Sequence, residues 1–177
     1  MQKIFKTQLI GLLNNTLDED MLEDAARLLS QALVGDGHIY IHGTGEMAAV
    51  CAEALHGKET LARVSPLIEE GSIVTLDPAD RVFLLARSSS DPEMIGIAKQ
   101  LSKQHIFTVG LSATVDTDGS EHWVESVDIH LDLALSHSLV PTDTGERIGY
   151  PASLMALYTY FCLFLLISEI LSEYEEE

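Results

Sequence analysis

Two short stretches hold residue types suited to gripping a small anion. The first is Gly43-Thr44-Gly45-Glu46, between the β-branched run Ile39-Tyr40-Ile41 and a segment of small and apolar residues reaching Leu55. The second is Arg87-Ser88-Ser89-Ser90-Asp91, between the apolar run Val82-Phe83-Leu84-Leu85-Ala86 and Pro92. A strand, a glycine turn and a helix start aim free backbone N–H groups into one spot, and that spot suits a phosphate. Serine hydroxyls donate to phosphate oxygens without adding charge, and Arg87 supplies one cation. Both stretches also fit ordinary turns between a strand and a helix. The glycines then serve only geometry, and Asp91 caps a helix that Pro92 opens.

Other reactive groups are sparse. Glu53 and His56 are candidates for the base and acid that move a proton between adjacent carbons. They fit better as a surface carboxylate and a helix-end histidine near the dipole. His42, His130 and His137 show no metal-ligand spacing, so neither metal nor cofactor is expected. Gly43-x-Gly45 is not a dinucleotide fingerprint. Ala48 stands at the third glycine, and the acidic residue expected roughly 20 residues on has only Glu59 and Glu69 as candidates, neither clearly after a strand. No P-loop motif occurs.

The elements that must position these loops are readable from periodicity. Residues 3–15 have mixed helical spacing. Asp18 to Leu33 is an amphipathic helix, with acidic residues at its start and Gly35 at its end. Strands are expected at Ile39–Ile41, Leu61–Val64, Ile73–Leu76, Arg81–Ala86, Ile106–Leu111 and Val127–Leu131. Helices are expected from Glu46 to about Leu55 and from Pro92 to about Gln104. Ser112 to Glu125 reads as a polar loop whose Trp123 covers an edge, and Leu139 to Tyr150 as a Pro/Gly/Thr loop. Strands apolar on both faces and alternating with helices imply a parallel sheet covered on both sides, a three-layer α/β/α sandwich. Ligands of such sheets bind beyond the carboxyl ends of the strands, where both loops belong.

With 177 residues the chain suits one domain: N-terminal helices over 1–35, an α/β core over 38–135 and a C-terminal apolar helix over 151–172. The formal net charge of −18 argues against nucleic acid and anionic membrane surfaces, so any phosphate site must be local. Cys51 and Cys162 lack disulfide or metal spacing and read as buried free thiols, which fits a reducing cytoplasm. The N-terminus has only a short apolar run and no small-residue cleavage site, so no signal peptide is expected. Pro151 to Leu171 is long enough to cross a membrane. Its polar residues and lack of flanking Lys or Arg favour a helix buried all round, in a core or a subunit interface. The acidic tail Glu173–Glu177 reads as a solvated end.

Taken together, the two loops resemble those of the sugar isomerase (SIS) domain, and within it the phosphoheptose isomerases. The resemblance spans most of the chain, including the Asp128 strand and the Pro151-Ala152-Ser153-Leu154 start of the last helix. It implies a five-stranded parallel sheet of flavodoxin or Rossmann type, a phosphosugar ligand and a homodimer or higher oligomer. The phosphosugar contacts it implies are Gly43, Thr44, Gly45, Glu46, Arg87, Ser88, Ser89, Ser90 and Asp91. The motifs depart from the family in places. Met47 stands at the serine of the first loop. In the second, Ala86 replaces a serine, Ser89 stands at a glycine, and Asp91 replaces a hydroxyl. The family's helix histidine and glutamate fall near Glu53 and Gly57, and no histidine follows His137. The resemblance therefore implies phosphosugar binding with degraded isomerase chemistry. The alternatives are an active phosphoheptose-type isomerase using Glu53 or His56, and a non-catalytic dimeric scaffold.

Overall fold

The computed structural model describes residues 1–15, 17–115 and 119–176, and side chains through Glu175. Of the 112–125 loop, residues 116–118 lie outside the described residues, as do Thr16 and Glu177. In chain order the strands are β1 (Ile39–Gly43), β2 (Val64–Pro66), β3 (Ile68–Glu69), β4 (Ser72–Ile73), β5 (Arg81–Ser88), β6 (Thr108–Ala113), β7 (Ile129–Asp132), β8 (Val140–Pro141) and β9 (Arg147–Ile148). The helices are α1 (Gln2–Asn15), α2 (Glu19–Val34), α3 (Ala48–His56), α4 (Pro92–Lys103) and α5 (Ala152–Glu176).

Five strands form one sheet in the order β2-β1-β5-β6-β7, and every pairing in it is parallel. This is the flavodoxin-like order. The odd residues of β1, β5 and β6 (Ile39, Ile41, Phe83, Leu85, Val109, Leu111) pack on α2, α3 and α5. The even residues Val82, Leu84 and Ala86 pack on α4 and Trp123. The strict alternation of strand side chains thus divides one sheet into two buried faces, and the three-layer sandwich follows.

Asp18 caps α2 by accepting from the Met21 N–H, and Gly35 ends the helix. Several other elements differ from the sequence expectation for local reasons. The second strand starts at Val64, because Arg63 has a φ of 49° and its guanidinium donates to the carbonyls of Ala32, Leu33 and Gly35. Ile73 belongs to a separate hairpin, β3–β4, which turns through Glu70 and Gly71, both at positive φ. β5 runs on through Arg87 and Ser88. The 139–150 stretch holds a second small hairpin, β8–β9. α5 is buried on one side only: Met155, Tyr160, Leu163 and Ile167 are in the core, while Leu154, Tyr158, Phe161 and Leu165 are exposed, Leu165 to 65%. By length and composition α5 could cross a membrane, yet its inner face is built into the core with α2 and α3. Cys51 and Cys162 are free and half-buried.

Trp123 does not cover an edge. It is fully buried and fills the space left by Gly110, where an added Cβ would meet the indole Cζ3 at 2.5 Å. Its indole N–H donates to the Ser88 carbonyl at 3.0 Å, so the packing of β6 fixes the end of β5. Gly110→Ala should therefore cost roughly 1–3 kcal/mol by overpacking. Urea unfolding should show the lower midpoint, with tryptophan emission shifted to the red. An unchanged midpoint and spectrum would contradict this packing.

Candidate functional site

The two loops leave neighbouring strands. In the sheet, Gly43 pairs with Leu85, and the ladder continues with the Thr44 N–H donating to the Leu85 carbonyl at 3.0 Å. β1 then turns away while β5 extends to Ser88. Arg87 and Ser88 thus stand beside the first loop. Each glycine of that loop has a specific reason. A Cβ at Gly43 would lie 2.8 Å from the Met47 carbonyl oxygen, and Gly45 has a φ of +54°. The loop tightens through one 3-10 turn (Gly45–Met47) before α3 begins.

The side chains of the two loops meet. Arg87 donates from Nε and Nη2 to the two carboxylate oxygens of Glu46, at 2.5 and 2.6 Å. This fork holds the Glu46 carboxyl below the usual carboxylate range. Thr44 Oγ1 donates to Asp91 Oδ2 at 3.0 Å, while Asp91 Oδ1 accepts the Met94 N–H at 3.0 Å as the cap of α4. Asp91 is thereby turned back onto its own helix. Ser88 and Ser90 share a hydroxyl–hydroxyl bond of 2.9 Å.

Ser89 behaves differently from its neighbours. It is fully buried. Its Oγ accepts the Val115 N–H at 3.1 Å and shares a hydrogen bond of 2.9 Å with His122 Nδ1. Ser89 therefore ties down the loop behind the site and offers nothing to a ligand at its mouth. Met47 and Ala86, where the resemblance looks for serines, are buried core residues.

Glu53 and His56 lie toward the other end of α3. At about 1.5 Å of rise per residue, they sit roughly 7 and 12 Å along the axis from Ala48, the helix residue nearest the loop. Glu53 lies against Gly57 at the helix end, and His56 is exposed. Among the described residues no hydrogen bond joins either to the two loops, and no group of three or more His, Cys, Asp or Glu is placed to hold a metal.

Sequence reasoning missed three contributors. Tyr150 donates to the Leu135 carbonyl at 3.0 Å. Burial raises its pKa, with the Arg87 charge opposing and those of Glu46 and Asp132 reinforcing the shift. His122 and Trp123 brace the serine loop from behind. No periodic signal marks any of the three, because each reaches the site by tertiary packing. A deeper pair, Ser112 Oγ and His130 Nε2 at 2.9 Å, lies between β6 and β7. Burial lowers the His130 pKa.

The five-stranded parallel sheet with helices on both faces is a fold shared with solved sugar isomerase domains. Solved structures agree. The sugar isomerase domain of an RpiR transcription factor from Sphaerobacter thermophilus superimposes with a TM-score of 0.64 at 15% identity, covering 99% of this chain and 97% of that one. The Vibrio vulnificus NanR protein complexed with ManNAc-6P gives 0.69 at 18% identity, covering 98% of this chain and 64% of that one.

Within that fold, residues 1–171 match the model of DUF2529, a domain of unknown function, and the chain belongs to that family. Protein YwjG of Bacillus subtilis (strain 168) is 37% identical over 177 residues, covering 98% of this chain and 99% of that relative.

The cap geometry sets a stability expectation. Asp91→Ala loses both the cap of α4 and the Thr44 contact, and should cost about 1 kcal/mol. Asp91→Asn keeps the capping oxygen and should cost less than half of that. For a domain of this size, thermal unfolding should read the alanine change as a fall of roughly 2–4 °C.

Proposed function

We propose that this chain is a phosphosugar-binding protein whose ligand places its phosphate between the Gly43–Glu46 and Arg87–Ser90 loops. One observation carries this reading. The two loops leave adjacent strands at the point where the strand order reverses, which is where open α/β sheets bind their ligands. Arg87 and the hydroxyls of Ser88 and Ser90 supply the phosphate contacts, with the N–H groups of Gly45 and Glu46 alongside. Tyr150 walls the sugar side. The ManNAc-6P in the NanR complex supports this ligand class.

The chain acts in the cytoplasm, without a cofactor, as a homodimer joined through the exposed stripe Leu154-Tyr158-Phe161-Leu165 of α5. Isomerase chemistry of the phosphoheptose type would have to come from Glu53 or His56. α3 carries both away from the loops, so the reading is binding without turnover.

Titration of wild-type protein with a panel of phosphosugars, and with the matching free sugars, tests the reading. A ligand at about 100 times its dissociation constant adds roughly 2.7 kcal/mol, a rise of about 5–10 °C at this size. The shift should appear with a phosphorylated sugar only. Arg87→Gln should weaken binding by about tenfold or more, and Ser88→Ala by several-fold. No aldose–ketose turnover should accompany it. If no phosphosugar shifts the midpoint, the scaffold role takes precedence.

A further inference from the structure

The side chains named above already have partners within the chain. The Arg87 fork grips Glu46 with both arms at 2.5 and 2.6 Å. Thr44 donates to Asp91, and Ser88 and Ser90 pair with each other. Two of these partners, Glu46 and Asp91, are carboxylates. A carboxylate on an Arg fork uses the same bidentate geometry as a phosphate. Glu46 thus holds the place that an anionic ligand needs.

We infer that Glu46 is a specificity-determining internal competitor, which reserves the site for phosphomonoesters and turns away singly charged anions such as acid sugars. The inference rests on the phosphosugar reading above. A carboxylate ligand offers Arg87 nothing that Glu46 does not already provide, and it must enter beside Glu46 and Asp91 in a chain of net charge −18. A phosphomonoester near neutral pH brings nearly two charges and three acceptor oxygens. It can take the Arg87 fork and also draw the Ser88 and Ser90 protons apart from each other. Exchange is therefore worthwhile only for the ligand with the greater charge and the greater number of acceptors.

The exchange is mechanically simple. Glu46 lies on the one-turn segment after Gly45, with its side chain 35% exposed, and the Arg87 side chain is 61% exposed. Neither needs the core to move. Exposed ion pairs of this kind are weak, so the barrier is a bias and not a lock. Releasing Arg87 by Glu46→Gln should tighten phosphomonoester binding about two- to fivefold. It should raise acid-sugar affinity by at least as much, and so narrow the selectivity between the two.

Calorimetric titration with glucose 6-phosphate and glucuronate, on the wild type, Glu46→Gln, Glu93→Gln and the double variant Glu46→Gln/Arg87→Gln, tests this. The expected result is tighter glucose 6-phosphate binding and newly measurable glucuronate binding in Glu46→Gln alone. Glu93→Gln, which removes a first-turn charge of α4 that pairs with His42 at 3.3 Å and not with Arg87, should leave both affinities near the wild-type values. The double variant should lose the gain. If the wild type binds glucose 6-phosphate and Glu46→Gln binds it no better, or if Glu93→Gln gains equally, the competitor role is overturned and the site stands. If Glu46→Gln and the wild type both fail to bind either probe or inorganic phosphate, the phosphosugar reading falls and the competitor role with it.

Discussion

Parallel strands cannot be joined by tight turns, so each connection must cross a face of the sheet. That constraint decides where this molecule can hold a ligand. From β1 the chain leaves through α3 on the face shared with α2 and α5. From β5 it leaves through α4 on the opposite face. Two neighbouring strands therefore send their chains apart, and a crevice opens between their carboxyl ends. The rest of the fold serves that divergence. The β1/β5 register runs from Ile39↔Arg81 to Gly43↔Leu85, and Trp123 over Gly110 pins the overhanging end of β5 through the Ser88 carbonyl.

Electrostatics sets the terms on which the crevice works. A chain with a formal net charge of −18 repels anions at long range, so attraction must come from donors within contact distance. Glu46 holds Arg87, and Asp91 holds Thr44, which keeps those donors oriented and satisfied while the site is empty. The Glu46–Arg87 bridge is exposed enough to contribute little to folding. On the proposed reading its role is occupancy: an anionic ligand would have to displace Glu46 from Arg87.

Much of the fold was legible in the sequence, because the strands carry continuous apolar runs and the helix starts carry caps. Asp91 and Pro92 marked the start of α4, and Asp18 that of α2. The two loops were legible as turns, since glycine and serine clusters after apolar runs mark turns that lead into helices. What could not be read was the use of each residue inside a loop. Ser88, Ser89 and Ser90 look alike in sequence, yet Ser89 is buried against His122 and Val115 while its neighbours pair with each other. Trp123 lies in a polar stretch, and its burial depends on the absent Cβ of Gly110 on another strand. The Glu46–Arg87 bridge joins residues 41 apart, and no local pattern encodes such a pair. The sidedness of α5 was hidden because both its faces are apolar: the composition cannot distinguish Tyr160 inside from Phe161 outside.

The central claim is that a phosphosugar enters between the first loop and the end of β5. Backbone amide NMR of wild-type protein during titration with ManNAc-6P tests it most directly. The account predicts that the largest shifts fall on Thr44 to Met47 and Arg87 to Ser90, with the Arg87 side-chain Nε–H moving as it leaves Glu46. Saturable shifts centred elsewhere, for example in the groove between α2 and α5 lined by Arg27, Gln31 and Glu173, would contradict it, as would a spectrum that does not change.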